Sequence, residues 1–140
     1  METTLTILKP DSVAAGATGK ILDRLIREGF AIRGLRLVRL TESQARAFYE
    51  VHKERPFYGR LVEFMTSGPV VVAALERADA VTHLRDVMGA TDSQKAAPGT
   101  LRAEFGTDIE RNAVHGSDSP ENARREVGFF FTEGDLAATG

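Results

Sequence analysis

The chain has no cysteine among its 140 residues, which excludes disulfide bonds and thiolate-ligated metals. It also lacks a long apolar run, because its longest one, Val70 to Leu75, is far too short to span a membrane. The first four residues include no basic segment ahead of apolar ones, so we expect no signal peptide and a cytoplasmic protein. With a net charge of only −2, the chain has no basic field that would attract nucleic acid. We therefore expect neither a nucleic acid nor a membrane as a partner, and any polyanion must be held by a few local cations.

The chain has the length of one ordinary domain, and its apolar and charged fractions are typical of a globular protein. Its hydrophobic patterns predict short strands that alternate with helices, in the order β-α-β-α-β-α-β-α. The predicted strands are Thr3–Leu8, Ile32–Leu40, Val70–Leu75 and a very short one at His115–Ser117. This order predicts an α/β sandwich in which one sheet is covered by helices, a single domain over residues 1–140. The patterns leave open whether the sheet is parallel or antiparallel.

Two helix starts carry clear capping signals. Thr41 is followed three residues later by Gln44, a capping box that begins a helix to about Lys53. Ser119, Pro120 and Glu121 stand in the order of cap, first helical residue and acidic second residue, which predicts a helix to about Val127. We expect a loose tail from about residue 132.

The segment from Gly89 to about Ala113 shows no clean period. A connection of that length inside a compact domain is uncommon and usually functional. It is therefore the first place to look for a site.

Of the three histidines, His115 differs from His52 and His83. His83 falls mid-helix and is interpreted as a surface residue, and His52 as a residue of the surface or of a pocket rim. His115 follows the long connection and precedes a helix start, and its neighbour Gly116 leaves room for a bulky ligand. Taken alone, the His-Gly-Ser-Asp segment is as consistent with a structural turn as with a catalytic site.

Three other patterns do not satisfy the catalytic motifs they resemble. A Walker A loop ending at Lys20 would need glycine and a hydroxyl residue where the chain has Ala14 and Ile21. Scattered histidines without a close pair do not predict a zinc site. Ser117 lies near His115 but in no G-x-S-x-G elbow, so a serine hydrolase is not indicated.

Three cations could serve a phosphate ligand. Lys9 ends the first strand, Arg85 precedes the long connection and Arg102 lies inside it. A phosphate site needs several such groups, since arginine forks and lysine point charges complement phosphate oxygens. Each one alone is equally well explained as a solvated surface charge.

Taken together, these residues resemble one family. The segment Asn112-Ala113-Val114-His115-Gly116-Ser117-Asp118 matches N-x-x-H-G-S-D, the signature of the nucleoside diphosphate kinases. Four more segments are similar to that family, in the same order and without an apparent gap between about residues 3 and 131. They are Thr6–Asp11, Arg55–Tyr58, Met65–Val70 and Pro98–Arg102.

The resemblance implies a ferredoxin-like β-α-β-β-α-β core with a four-stranded antiparallel sheet. It also implies a ping-pong reaction, in which a nucleoside triphosphate phosphorylates a histidine and a nucleoside diphosphate then takes the group. Matched position by position, His115 would be the phosphorylated nucleophile, and Glu126 would hold its other imidazole nitrogen. Tyr49 and Ser117 would line the site beside the catalytic atoms.

The remaining positions imply a nucleotide-binding site. The residues expected on the phosphates are Lys9, Arg85, Thr91 and Arg102. Phe57 would stack on the base with Ile109 opposite, and Asn112 would reach the sugar. Mg²⁺ would be the cofactor, held mainly by phosphate oxygens and water, so no protein ligand for a metal is expected.

The resemblance also implies a homo-oligomer, a tetramer or hexamer built from dimers, and the chain is similar to the shorter, bacterial-type members. It departs from many of them at Asp92-Ser93, where Asn-Pro is common, which affects the expected loop but not the contact residues. Two other functions stay open at this point. The chain could be an inactive relative that acts as a scaffold, or a phosphohistidine protein that relays phosphate to another protein.

Overall fold

One four-stranded antiparallel sheet organises the chain, in a computed structural model that describes residues 1–137. The order across the sheet is β2-β3-β1-β4. Its strands are β1 (Glu2–Leu8), β2 (Ala31–Val38), β3 (Val70–Arg77) and β4 (Val114–Gly116). Strand β1 lies inside the sheet and pairs with β3 on one side and β4 on the other. This is the ferredoxin-like topology, so the expected core and its antiparallel sheet are confirmed.

Helices connect the strands and cover the sheet. They are α1 (Pro10–Ala14), α2 (Thr18–Arg27), α3 (Glu42–Phe48), α4 (Tyr58–Met65), α5 (Ala80–Met88), α6 (Leu101–Phe105) and α7 (Pro120–Phe130). Short 3₁₀ turns lie at Glu50–His52, Ser93–Lys95 and Glu133–Asp135. None of the helices within residues 1–137 is long and apolar enough to cross a membrane.

Strand β3 is buried on both faces of the sheet, which explains why its sequence is continuously apolar. Val71, Ala73 and Leu75 pack on the side of α2 and α5. The alternate residues Val70, Val72 and Ala74 pack on the other side, against α3, α4 and α7. Successive side chains of a strand point to opposite faces, so a strand between two helical layers needs apolar residues at every position.

Both predicted helix caps are present. The Thr41 side chain accepts a hydrogen bond from the Gln44 backbone N–H at 3.1 Å, and the Gln44 side chain accepts one from the Thr41 N–H at 2.9 Å. The Ser119 hydroxyl accepts from the Asn122 N–H at 3.1 Å and begins α7. These caps fix the starts of the two helices that later bring Tyr49 and Glu126 to the site.

The structure differs from the sequence prediction in two connections. Helix α3 ends at Phe48 rather than near Lys53, because the backbone of Tyr49 leaves the helical region and a 3₁₀ turn follows. The long connection from Gly89 contains the 3₁₀ turn Ser93–Lys95 and the five-residue helix α6. Helices this short do not repeat an apolar face often enough to give a visible period.

The chain after α7 also differs from the expected loose tail. A capping box at Thr132 closes the turn Glu133–Asp135. The Ala137 N–H donates to the Arg33 carbonyl at 2.8 Å, and Arg33 Nε donates to the Ala137 carbonyl at 2.9 Å. The segment is thus tied to β2 as far as Ala137, and residues 138–140 lie outside the described residues.

We predict that Thr41→Ala lowers the free energy of unfolding by about 1 kcal/mol, because it removes the hydroxyl that accepts from the Gln44 N–H. Urea unfolding followed by circular dichroism measures the change. Ser43→Ala is the matched control, since Ser43 is exposed on the same helix and is not its cap. An equal loss in both variants would contradict a capping role.

Candidate active site

The pairing of β1 with β4 brings His115 and Lys9 to the same part of the sheet. Ile7 pairs with His115 and Leu8 with Val114, so Lys9 follows directly beyond the paired residues. The Thr6 hydroxyl donates to the His115 carbonyl at 2.8 Å and fixes the backbone there.

Glu126 holds one nitrogen of the His115 ring. His115 Nε2 lies 2.7 Å from Glu126 Oε1, and the Ser117 hydroxyl donates to the same oxygen at 2.8 Å. Glu126 lies on α7, two turns after the Ser119 cap, and is buried. An ionised carboxylate only accepts hydrogen bonds, so the proton of the neutral imidazole belongs on Nε2 and the lone pair on Nδ1. The arrangement therefore prepares Nδ1 as a nucleophile.

Aromatic rings set the orientation of the imidazole. The rings of Phe48 and Tyr49 both meet it edge-on, with centroids at 5.5 and 6.1 Å. Burial, reinforced by the charge of Glu126, raises the pKa of the Tyr49 phenol. Its buried hydroxyl has no hydrogen-bond partner among residues 1–137. A buried donor without a partner beside a nucleophile is available to a ligand.

Two buried cations, Lys9 and Arg102, form part of the cavity wall. Lys9 Nζ donates to Asn112 Oδ1 at 2.8 Å, and the two Nη atoms of Arg102 donate to the carbonyls of Gly89 at 3.0 Å and Val114 at 2.9 Å. Burial, reinforced by the charge of Arg102 and opposed by that of Asp11, lowers the pKa of Lys9 to about 8.

Burial likewise lowers the pKa of Arg102 to about 10, with Arg85 adding to the effect. These cations repel one another where water cannot screen them. Binding of an anion in the cavity would relieve that repulsion.

Asn112 links the cations to the loop that carries Thr91. Its Oδ1 accepts from Lys9, and its Nδ2 donates to the Thr91 carbonyl at 3.0 Å. Both ends of the amide are thus engaged within the protein, so Asn112 orients Lys9 as well as lining the cavity.

A cavity of about 580 Å³ collects nearly all the predicted site residues, a size typical of small-molecule sites. Those on its wall are Lys9, Tyr49, Phe57, Arg85, Thr91, Arg102, Ile109, Asn112, His115 and Glu126. Ser117 is the exception, because it is fully buried behind Glu126 and acts on the site only through that carboxylate.

The open end of the cavity is flanked by Phe57 and Ile109, which are 39% and 59% exposed. An ion pair spans this end: Arg60 Nε of α4 lies 2.9 Å from Oε1 of Glu110, the neighbour of Ile109. Sequence reasoning missed this pair, because no motif connects two charges so far apart in the chain.

His52 lies at the pocket, one of the two places expected for it. It lines the cavity and lies between the rings of Tyr49 and Phe57, at centroid distances of 6.4 and 5.7 Å. The spacing of three residues from Tyr49 was the available signal, since residues three apart share a helical face.

The donor groups of the cavity fit a divalent cation only when it arrives with an anionic ligand. Within residues 1–137 no group of three or more His, Asp or Glu side chains could hold a metal ion. The cavity instead presents Lys9, Arg85 and Arg102, which suit phosphate oxygens that could in turn bind Mg²⁺.

The fold and the site together define a class of protein: a ferredoxin-like α/β domain with an oriented histidine, a cationic pocket and an apolar slot for a flat ring. Comparisons with known proteins make the class specific. Residues 2–136 match the family model "Nucleoside diphosphate kinase". The chain is 54% identical over 136 residues to the nucleoside diphosphate kinase of Nitratiruptor, covering 97% of this chain and 99% of that protein.

Solved structures agree. The nucleoside diphosphate kinase of Aquifex aeolicus superposes with a TM-score of 0.95 at 52% identity, covering 97% of this chain and 99% of that one. That of Halobacterium salinarum, in complex with CDP, gives 0.95 at 40% identity, covering 99% of this chain and 93% of that one. The chain belongs to the nucleoside diphosphate kinase family.

Proposed function

We propose that this chain transfers the terminal phosphoryl group of a nucleoside triphosphate, typically ATP, to a nucleoside diphosphate through a phosphohistidine on His115. Family membership over residues 2–136 supports the reaction. The observation that carries the assignment to His115 is its 2.7 Å contact through Nε2 with the buried Glu126, which leaves Nδ1 free to attack. Neither a scaffold nor a phosphate relay requires the nucleotide-sized cavity beside it.

In the first half-reaction a bond forms between His115 Nδ1 and the terminal phosphorus. The bond to the bridging oxygen breaks, and its electron pair leaves on the nucleoside diphosphate. The Nε2 proton stays in its hydrogen bond to Glu126, whose negative charge stabilises the positive charge that the ring acquires. A second nucleoside diphosphate reverses these steps with its own terminal oxygen as the nucleophile.

The cations provide most of the remaining catalysis, because phosphoryl transfer depends on positioning and charge neutralisation. Lys9, Arg85, Thr91 and Arg102 are assigned to the phosphates. The unpartnered hydroxyl of Tyr49 is assigned to the oxygens beside His115, with Ser117 orienting Glu126 from behind.

Mg²⁺ is the proposed cofactor. When bound, it would neutralise phosphate charge, with phosphate oxygens and water as its ligands. The side chains of Lys9, Arg85 and Arg102 would hold the phosphates that carry it, and no side chain is assigned to the ion itself.

The base is assigned to the slot between Phe57 and Ile109, and the sugar to Asn112. The CDP complex of the Halobacterium salinarum protein supports a nucleoside diphosphate as a ligand here. Cytoplasmic location stays a prediction, supported by the absence of cysteine.

We predict that His115→Ala loses both an acid-labile phosphate label and turnover, by about 10⁴-fold or more, since the nucleophile is removed. The protein is incubated with radiolabelled ATP and Mg²⁺, freed of nucleotide and then given GDP. Radioactive GTP should form from the wild type only.

His83→Ala is the matched control, because His83 contacts Glu28 at 2.9 Å and is not among the residues of the cavity wall. A labelled protein that passes nothing to GDP would indicate a relay, and an unlabelled wild type would indicate a scaffold. Retention of most turnover by His115→Ala would contradict the assigned nucleophile.

We predict weak discrimination among bases, because stacking on an aromatic ring is worth roughly 1–3 kcal/mol and every base offers a π-face. Values of kcat/KM for ATP, GTP, CTP and UTP should lie within about two orders of magnitude, a span of roughly 3 kcal/mol. Phe57→Ala should weaken all four together, whereas Phe129→Ala, at a ring that is not part of the cavity wall, should change none of them selectively. A Phe57→Ala effect confined to one base would reveal a group that reads base edges.

We also infer a homo-oligomer, a tetramer or hexamer built from dimers, as the family resemblance implies. Strand β2 lies at one edge of the sheet and exposes Leu35 and Leu37, apolar surface that a subunit contact could bury. Light scattering at micromolar concentration should give a multiple of the 15.2 kDa chain. A monomeric mass would contradict the inference.

A further inference from the structure

We propose that Asp11 is a positioning residue for the reaction: its carboxylate holds the backbone of Ala113 in place and sets a negative charge beside Lys9. The proposal rests on the proposed function and adds a residue that the mechanism above does not use. It has two parts, one mechanical and one electrostatic, and different substitutions separate them.

The mechanical part begins with the backbone of Ala113. Its φ of 71° lies in the left-handed region, which residues with a side chain rarely adopt. Ala113 is fully buried and stands two residues before His115. Strained residues persist only where their surroundings hold them, and they concentrate at functional sites.

The groups that hold Ala113 all come from the turn after β1. Its N–H donates to Asp11 Oδ2 at 3.1 Å. Its carbonyl accepts from the Lys9 backbone N–H at 2.8 Å and from the Ser12 hydroxyl at 2.9 Å. The backbone that leads into His115 is therefore fixed by the segment that carries Lys9.

The electrostatic part concerns the ammonium of Lys9. Arg102 of α6 repels it, while Asp11 of α1 attracts it. Asn112, His115 of β4, Tyr49 after α3 and Glu126 of α7 face the same cavity. Three carboxylates line the cavity, and each has its own partner: Glu126 is bound to His115 and Ser117, Asp118 to Asn122, and Glu110 to Arg60. Asp11 is thus the anion left to balance Lys9.

The charge of Asp11 sets the direction of the expected pH effect on phosphate binding by Lys9. Burial and the charge of Arg102 lower the pKa of Lys9, the charge of Asp11 opposes them, and together they set it at about 8. Burial raises the pKa of Asp11 from its ordinary acidic value, while the hydrogen bond from Ala113 and the charge of Lys9 oppose that change. Removing the charge of Asp11 lowers the pKa of Lys9 further, so Lys9 loses its proton, and its hold on phosphate, at a lower pH.

Asp11→Asn tests the charge, because the amide keeps an oxygen that can accept from the Ala113 N–H. Asp11→Ala tests the mechanical part, because it also removes the acceptor of the Ala113 N–H. Ser12→Ala removes the hydroxyl contacts to the Ala113 and Lys9 carbonyls, at 2.9 and 3.0 Å, without changing charge. Asp23→Asn is the control for loss of a carboxylate, since Asp23 is exposed on α2 and paired with Arg27. The rate of His115 phosphorylation by ATP and the KM for ATP are measured from pH 6 to 9.

In Asp11→Asn the KM for ATP should match that of the wild type at pH 6 and exceed it by about 3- to 10-fold near pH 8.5. The alkaline limb of the pH profile, where Lys9 loses its proton, should move to lower pH. Ser12→Ala should lower the phosphorylation rate by a constant factor of about 2 to 10 at every pH, with the limb unmoved. Asp23→Asn should superpose on the wild type.

An alkaline limb that stays in place in Asp11→Asn, or that moves equally in Ser12→Ala, overturns the electrostatic part. A phosphorylation rate in Asp11→Ala equal to that in Asp11→Asn at pH 6 overturns the mechanical part. If Asp11→Asn does not fold, the same substitution in an Ala113→Gly background carries the test, because glycine adopts a positive φ without strain.

A second measurement separates this proposal from the function it rests on. NMR titration of the Lys9 side chain in the ligand-free protein needs no activity. A lower Lys9 pKa in Asp11→Asn supports the electrostatic part even if the wild type takes no phosphate from ATP, whereas an unchanged pKa overturns it even if phosphorylation succeeds.

Discussion

The antiparallel pairing of β1 with β4 is the constraint on which the site depends. Strand β4 has only three residues, so its own ladder is short. Bonds beyond the ladder reinforce it: the Thr6 hydroxyl donates to the His115 carbonyl, and the Ser117 N–H donates to the Leu5 carbonyl at 3.2 Å. Because this pairing places Lys9 and His115 together and starts α7 in the right direction for Glu126, a shift of register would separate all three.

Burial of like charges gives the cavity its chemical character. Lys9 and Arg102 are both only 7% exposed, and burial, with the repulsion of a neighbouring arginine added to it, lowers the pKa of each. Their hydrogen bonds go to neutral oxygens, of Asn112 and of backbone carbonyls. Neutral partners orient the cations without cancelling their charge, which leaves that charge free for phosphate.

Local sequence signals predicted the elements well where chemistry is local. The capping box at Thr41 and the cap at Ser119 were confirmed, and so was the buried strand from Val70. The sheet direction could not come from periodicity, since parallel and antiparallel strands share a period of two. It required the family resemblance. Three features depend on contacts between distant segments, which a single sequence does not encode in any short pattern. They are the Arg60–Glu110 pair, the position of His52 at the cavity, and the hydrogen bond from Ala113 to Asp11.

The two ends of the cavity differ in the way that broad nucleotide use requires. At the closed end the proposed binding mode would set the phosphate groups against buried cations in fixed positions, where interactions are strong because water is excluded. At the open end, Arg60 and Glu110 have side chains 72% and 47% exposed, and an ion pair in water contributes only about 0–1 kcal/mol. Charged groups that stay solvated lose little binding free energy when a base edge fails to match them, so they discriminate weakly among bases. In the proposed binding mode the chain would thus concentrate binding on the part that all nucleotides share and leave the part that distinguishes them in contact with solvent.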